Sequence, residues 1–219
     1  MQNYAILIDG GFAKRKLGTA IKPAVADDFL GLVQRLQILH PLDVMRLHRI
    51  YYYDSVPLET AHDKPLGGGK IEFGNSHVTN RSRILFEQLS QQPYTALRLG
   101  ELSFQGWSVA GHKLRKATGS TVEISVDDLR PQITQKGVDM RIGMDIAALT
   151  LKKQVDVIVL VSGDSDFVPA MKFARREGVN LYLAPLGQHV KPSMLEHSDL
   201  LLEVALSGTS NSVNKVSTP

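Results

Sequence analysis

The stretch that most restricts the fold is Val155-Asp156-Val157-Ile158-Val159-Leu160-Val161, followed at once by Ser162-Gly163-Asp164-Ser165-Asp166-Phe167. An apolar run rich in β-branched residues and closed by turn residues reads as a buried parallel strand. Asp164 and Asp166 then stand where the strand ends and a helix begins, the place where open α/β sheets bind ligands. Ser and Asp are good helix N-caps and Pro169 suits a first helical turn, so capping of a helix over residues 166–177 explains one carboxylate. It does not explain two, because like charges crowded at one helix start repel each other unless a cation lies between them.

Strand and helix patterns alternate around this point. Residues 4–8 form an apolar strand, 24–39 carry helical apolar spacing, and 44–53 read as a strand rich in branched and aromatic residues, which together make a βαβ unit. A helix over 138–153, the strand 155–161, the helix 166–177 with Gly178 as its stop, a strand over 179–184 and a short one over 200–204 repeat the pattern. Between them, residues 54–80 hold Pro57, Pro65 and Gly67-Gly68-Gly69, which is loop chemistry. A helix over 81–91 and strands over 96–104 and 121–126 follow. The expected architecture is α/β: a mostly parallel central sheet with helices on both faces, one domain over 1–205 with 54–130 as an elaborated insertion, and a disordered tail over 206–219.

A second acid ends the first strand, in Ile6-Leu7-Ile8-Asp9-Gly10-Gly11-Phe12. Asp9 and Asp164 both leave carboxyl ends of parallel strands and converge if those strands are neighbours. The helix opening in Lys136-Gly137-Val138-Asp139 precedes the strand at 155–161 and runs opposite to it, so Asp139 reaches the same edge. Asp145 lies about 9 Å further down the axis if that helix starts at Asp139, where it is a solvated or ion-paired acid; a later start would lift it to the site. Acids from separate segments at one sheet edge suit hard divalent cations such as Mg²⁺ or Mn²⁺, which position water for attack on a phosphodiester.

Other chemistries have less to stand on. The chain has no Cys and no evident Ser elbow paired with His and Asp, and its seven His lack zinc spacing. No run approaches a membrane span and the start lacks a signal-peptide pattern, so the expected location is the cytoplasm and no membrane partner is foreseen. The net charge of +3 permits nucleic-acid binding without demanding it. Lys14 and Arg15, and Lys113 with Arg115, are local basic groups; each alone is more often a solvated face, and the alternative is contact with a phosphate. Aromatics on strands are more often core than base-stacking, but Gly106 and the nearby Lys113 stretch suggest an exposed loop at Trp107, which makes it the first candidate to stack on a base.

Ile8-Asp9-Gly10-Gly11-Phe12, Lys136-Gly137-Val138-Asp139 and Val161-Ser162-Gly163-Asp164-Ser165-Asp166-Phe167 together resemble the bacterial NYN domain family, a branch of the PIN-like nucleases. Tyr51-Tyr52-Tyr53-Asp54 and Ala96-Leu97-Arg98-Leu99-Gly100 extend the resemblance through the middle, to about residues 1–205. It implies a Rossmann-like PIN fold and metal-dependent RNA cleavage. Carried over by position, Asp9, Asp139, Asp164 and Asp166 would hold Mg²⁺ or Mn²⁺, with Asp145 a further candidate by its distance before Asp164, and Lys136 would meet a phosphate. Many relatives carry Asn shortly after the first Asp, where this chain has Gly10, Gly11 and Phe12.

The leading expectation is a metal-dependent endoribonuclease acting on single-stranded or structured RNA, and a homodimer is compatible with it. Asp164 is the stronger ligand, with Asp166 retaining some capping. The rival is a non-catalytic nucleic-acid-binding or regulatory module on the same fold. A phosphatase using Asp9 as nucleophile is disfavoured, because such enzymes carry Asp-x-Asp where this chain has Gly11.

Overall fold

The computed structural model describes residues 1–115, 119–205 and 215–218. In chain order the elements are β1 (Asn3–Asp9), α1 (Gly10–Leu17), α2 (Ala26–Gln37), β2 (Arg46–Val56), β3 (Ala61–Asp63), β4 (Lys70–Glu72), α3 (His77–Ser90), β5 (Thr95–Val109) and α4 (Gly111–Arg115). They continue with β6 (Leu129–Lys136), α5 (Val138–Leu151), β7 (Val157–Val161), α6 (Val168–Arg176), β8 (Asn180–Leu183), α7 (Pro192–Glu196), β9 (Leu200–Glu203) and β10 (Lys215–Ser217). Among the described residues no helix is long and apolar enough to cross a membrane.

The chain divides into two compact units: Met1–Asp54 with Leu85–Leu99 and Val138–Pro219, and Ser55–Ile84 with Gly100–Gly137. In the first, β1 lies between β2 and β7, parallel to both, and β8 and β9 continue the parallel set beyond β7. The chain leaves β1 toward β2 and later returns to β1's other side through β7, so strand order reverses between β1 and β7. Such a reversal opens a crevice at the carboxyl edge.

Alternation along the strands fills both faces. Tyr4, Ile6 and Ile8 join Val157, Val159 and Val161 beneath Phe12, Phe29, Leu32, Leu36 and Phe86 of α1, α2 and α3. Ala5 and Leu7 join Ile158 and Leu160 beneath Ile142, Ile146 and Leu149 of α5 and Met171 and Ala174 of α6. β7 is buried at all five residues, as an apolar run covered on both faces must be. In α2 the apolar residues recur at Phe29, Leu32, Val33 and Leu36, and Asp28 anchors the first turn by accepting from the Val25 N–H at 2.9 Å. The expected α/β sheet with helices on both faces is therefore present.

The second unit contains the hairpin β3–β4 and the antiparallel pairing of the outer part of β5 with β6, from Glu101 opposite Lys136 to Val109 opposite Leu129. Three expectations change here. Residues 54–80 include a hairpin rather than loop alone. The strand after β5 is Leu129–Lys136, not 121–126; Pro131 argues against a strand in sequence, but β6 is an edge strand, where a missing N–H is tolerated. Residues 85–99 belong to the first unit, so the inserted middle is made of 55–84 and 100–137. The tail also differs: Lys215–Ser217 pairs antiparallel with Leu201–Glu203, while 206–214 and 219 lie outside the described residues.

Candidate active site

Asp9 closes β1 and serves as the N-cap of α1, its Oδ1 accepting from the Phe12 N–H at 3.0 Å. Ile8 registers with Val161, so Asp9 and Ser162 emerge side by side, and the Ser162 hydroxyl donates to Asp9 Oδ2 at 3.0 Å. The same hydroxyl accepts from the Asp164 N–H at 3.2 Å, and Asp164 Oδ1 accepts from the Asp166 N–H at 2.9 Å. Ser162 is fully buried. Asp164 thus performs the capping expected in part of Asp166, because the turn Ser165–Phe167 intervenes before α6.

Asp139 arrives from the other side. Gly137 adopts φ +77°, a left-handed turn suited to glycine, and α5 begins at Val138 with Asp139 in its first turn. Burial pushes the Asp139 carboxyl above its ordinary value, and the charges of Asp164, Asp9 and Asp166 push it further. The Asp9 carboxyl is likewise raised, chiefly by burial and also by Asp164, while its bonds from Phe12 and Ser162 and the Arg15 guanidinium oppose the rise. Four acids from three segments therefore feel one another at the switch-point edge, and a divalent cation relieves that repulsion.

Among the described residues, no three His or acidic side chains are gathered tightly enough to enclose a metal ion by themselves. Mg²⁺ does not require such a cage: it keeps several waters and is held by one or two carboxylates together with substrate phosphates. The all-oxygen donors and partly exposed acids fit a cation bound in that way.

Asp145 stands elsewhere. Because α5 starts at Val138, Asp145 lies nearly two turns down, where Oδ2 accepts from the Tyr53 hydroxyl at 2.9 Å and from Arg98 Nε at 3.0 Å. Its carboxylate is a partner for a buried tyrosine and an arginine, not a member of the acidic group. Lys14 is also engaged: its ammonium meets buried Asp54 at 2.7 Å, and Asp54 Oδ2 accepts from the Tyr52 hydroxyl at 2.9 Å. Arg15 is exposed and lies near enough to Asp9 to lower its pKa.

Lys113, Arg115, Trp107 and Lys136 all belong to the second unit. Lys113 pairs with Asp128 at 3.0 Å, whose carboxyl is held down at about 2, first by the Ser125 N–H and then by Lys113. Arg115 ends α4 and is exposed, as is Lys136 at the end of β6. Trp107 is not a loop residue: it lies in β5 opposite Pro131, its indole N–H donates to the Asp63 carbonyl at 3.1 Å, and its ring meets Phe104 edge-on at 5.7 Å.

A family model for the NYN domain matches residues 83–200, more than half of the chain. The chain belongs to the NYN domain family. NYN domains have a nuclease-like fold and are generally nucleases. The matched span holds Asp139, Asp145, Asp164 and Asp166, whereas Asp9, Lys14 and Arg15 precede it. This NYN chain is also similar to a crystal structure of a protein of unknown function from Vibrio parahaemolyticus, at 12% identity over 90% of each chain with a TM-score of 0.46. No curated protein matches it.

In the sequence Ser162 stands out only as part of a motif. The signal that finds it is register: a hydroxyl one residue beyond β7 lies beside the residue that ends β1. Neither Gly10 nor Gly163 has positive φ; both are places of close approach. A Cβ on Gly10 would lie 2.5 Å from the Tyr53 carbonyl oxygen, and one on Gly163 2.5 Å from Gln188 Nε2.

Proposed function

We propose that this NYN domain is a metal-dependent endoribonuclease whose acids hold Mg²⁺ or Mn²⁺ against a phosphodiester. The observation that carries the reading is the convergence of Asp9, Asp139, Asp164 and Asp166 at the β1–β7 switch point, where burial first and then the charges of the other three raise the Asp139 carboxyl. These are the residues that would hold the cation, directly or through its waters. When bound, such a cation supplies a lowered pKa for coordinated water and neutralises charge developing on the phosphate.

The chain's own contribution is orientation. The Phe12 N–H and the Ser162 hydroxyl fix each oxygen of Asp9 on the inner side and leave lone pairs on both for a ligand. Asp164 is held by its bond from the Asp166 N–H, so both strand-end carboxylates keep their direction without substrate. Arg15, exposed near Asp9, is placed to meet a phosphate oxygen.

The test is incubation of purified protein with Mn²⁺ and a panel of single-stranded and structured RNAs, beside Asp164→Asn. Internal cleavage by the wild type, lost in the variant and in chelator, is the expected result. An uncut panel with Mn²⁺ bound would move the assignment to a non-catalytic nucleic-acid-binding module on the same fold.

A further inference from the structure

The amino edge of the sheet carries a second charged feature. Where α6 ends and β8 begins, a cleft of about 430 Å³ is lined by Lys172, Arg175, Arg176, Asn180, His197 and Asp199 among others. Its floor is already neutralised: Arg175 places Nε and Nη2 on Asp199 Oδ1 at 3.0 and 2.9 Å and donates from Nη1 to the Glu196 carbonyl at 2.7 Å. Asp199 Oδ2 in turn accepts from the Leu181 N–H at 2.7 Å. With that pair locked, the cations left to a ligand are on the rim, Lys172 and Arg176, with His197 beside them. Arg176 meets Glu177 at 3.5 Å, but both side chains are exposed, and such pairs hold little.

Helix α6 joins this cleft to the acidic edge. It starts two residues after Asp166 and runs nine residues, about 13 Å, to Arg176. Pro169, Lys172 and Arg176 recur at spacings of three and four, so they form one exposed stripe. Phe173, half-buried beside it, carries the Arg176 guanidinium over its ring at 6.0 Å. Cations interleaved with an aromatic along a groove are what sequence-tolerant binding of a single nucleic-acid strand uses.

We infer that the exposed stripe of α6 and the cleft at its end form a track for the phosphates of a single RNA strand leading away from Asp164. The inference rests on the ribonuclease reading for the identity of the strand, but its test reads binding and not cleavage. Fluorescence anisotropy of a labelled single-stranded RNA is followed against salt on full-length Asp164→Asn protein, with and without Lys172→Glu and Arg176→Glu together.

The double change is expected to weaken binding about tenfold or more and to lower the slope of log affinity against log salt by about 1.4, two phosphate contacts' worth. Lys152→Glu with Lys153→Glu, an equal charge change at exposed positions beyond α5, is expected to leave the slope unchanged. Unaltered affinity in the α6 variant, or an equal loss in the control, overturns the track. A circular-dichroism melt matching the parent, with Lys172→Gln and Arg176→Gln giving an intermediate loss, separates binding from misfolding. If the wild type cuts no RNA while the α6 effect stands, the cleavage reading fails and the track does not.

Discussion

The Ser162 hydroxyl donates to Asp9 Oδ2 at 3.0 Å across 153 residues of chain. It ties the end of β7 to the end of β1 and also receives the Asp164 N–H, so one buried side chain sets both strand-end acids.

Ser162→Ala is therefore expected to reduce cleavage about tenfold and to cost about 1–2 kcal/mol of stability, since a carboxylate oxygen and a backbone N–H both lose a partner. The bond from Ser162 lowers the Asp9 pKa, so its loss moves the acid limb of the pH–rate profile to higher pH. A profile that keeps its acid limb in place would show that Asp9 is not oriented through Ser162.

Asp9 and Asp139 both hold protons to higher pH folded than unfolded, where the carboxyl titrates near 3.8. Above that value the folded state binds more protons than the unfolded one, so the pair's contribution to stability falls as pH rises through the window up to the raised pKa values. In chelator, Asp139→Asn is expected to match the wild type near pH 4 and to melt about 1–3 °C higher at neutral pH, burial and like charge outweighing the favourable helix start. Mn²⁺ is expected to raise the wild-type Tm and to raise that of the variant less. A variant that melts lower than the wild type at neutral pH in chelator contradicts the sign.

Asp145→Ala should behave as a structural lesion. It strips a partner from the Tyr53 hydroxyl, whose side chain is fully buried, and from Arg98, and is expected to cost about 1–3 kcal/mol in urea denaturation. Mn²⁺ affinity of the folded variant, read by electron paramagnetic resonance, is expected to stay at the wild-type level. A tenfold loss would return Asp145 to the metal-binding group.

Gly10→Ala places a methyl 2.5 Å from the Tyr53 carbonyl oxygen and 2.6 Å from Tyr52 Cζ. α1 must shift away from β2 to admit it, at about 1–3 kcal/mol, and Asp9 moves with the helix it caps. The expected result is a lower Tm together with a lower kcat. Unchanged kcat at reduced Tm would uncouple the α1 position from the site.

Much of this was legible one segment at a time. The apolar, β-branched-rich run before Ser162, short and closed by turn residues, read as a strand buried on both faces, and Gly178, at φ +90°, marked the stop after α6. Asp9, Asp139 and Asp164 were readable as strand-end and helix-start acids from local pattern alone. The second unit was less legible, since its strands are exposed and polar; β6 has six of its eight residues exposed, with only Leu129 and Pro131 intermediate, and carries a proline.

What the sequence determined by itself was the set of elements and the chemistry waiting at their ends, because periodicity and capping act over a few residues. Only the tertiary structure decided which of those groups meet. β1 and β7 became neighbours through a pairing register more than 150 residues apart, which brought Ser162 onto Asp9. The start of α5 at Val138 turned Asp145 onto Tyr53 and Arg98 while leaving Asp139 among the acids. Trp107 and Lys14 were drawn to the Asp63 carbonyl and the Asp54 carboxylate for the same reason: a side chain's partner is set by packing across the chain, which local spacing does not encode.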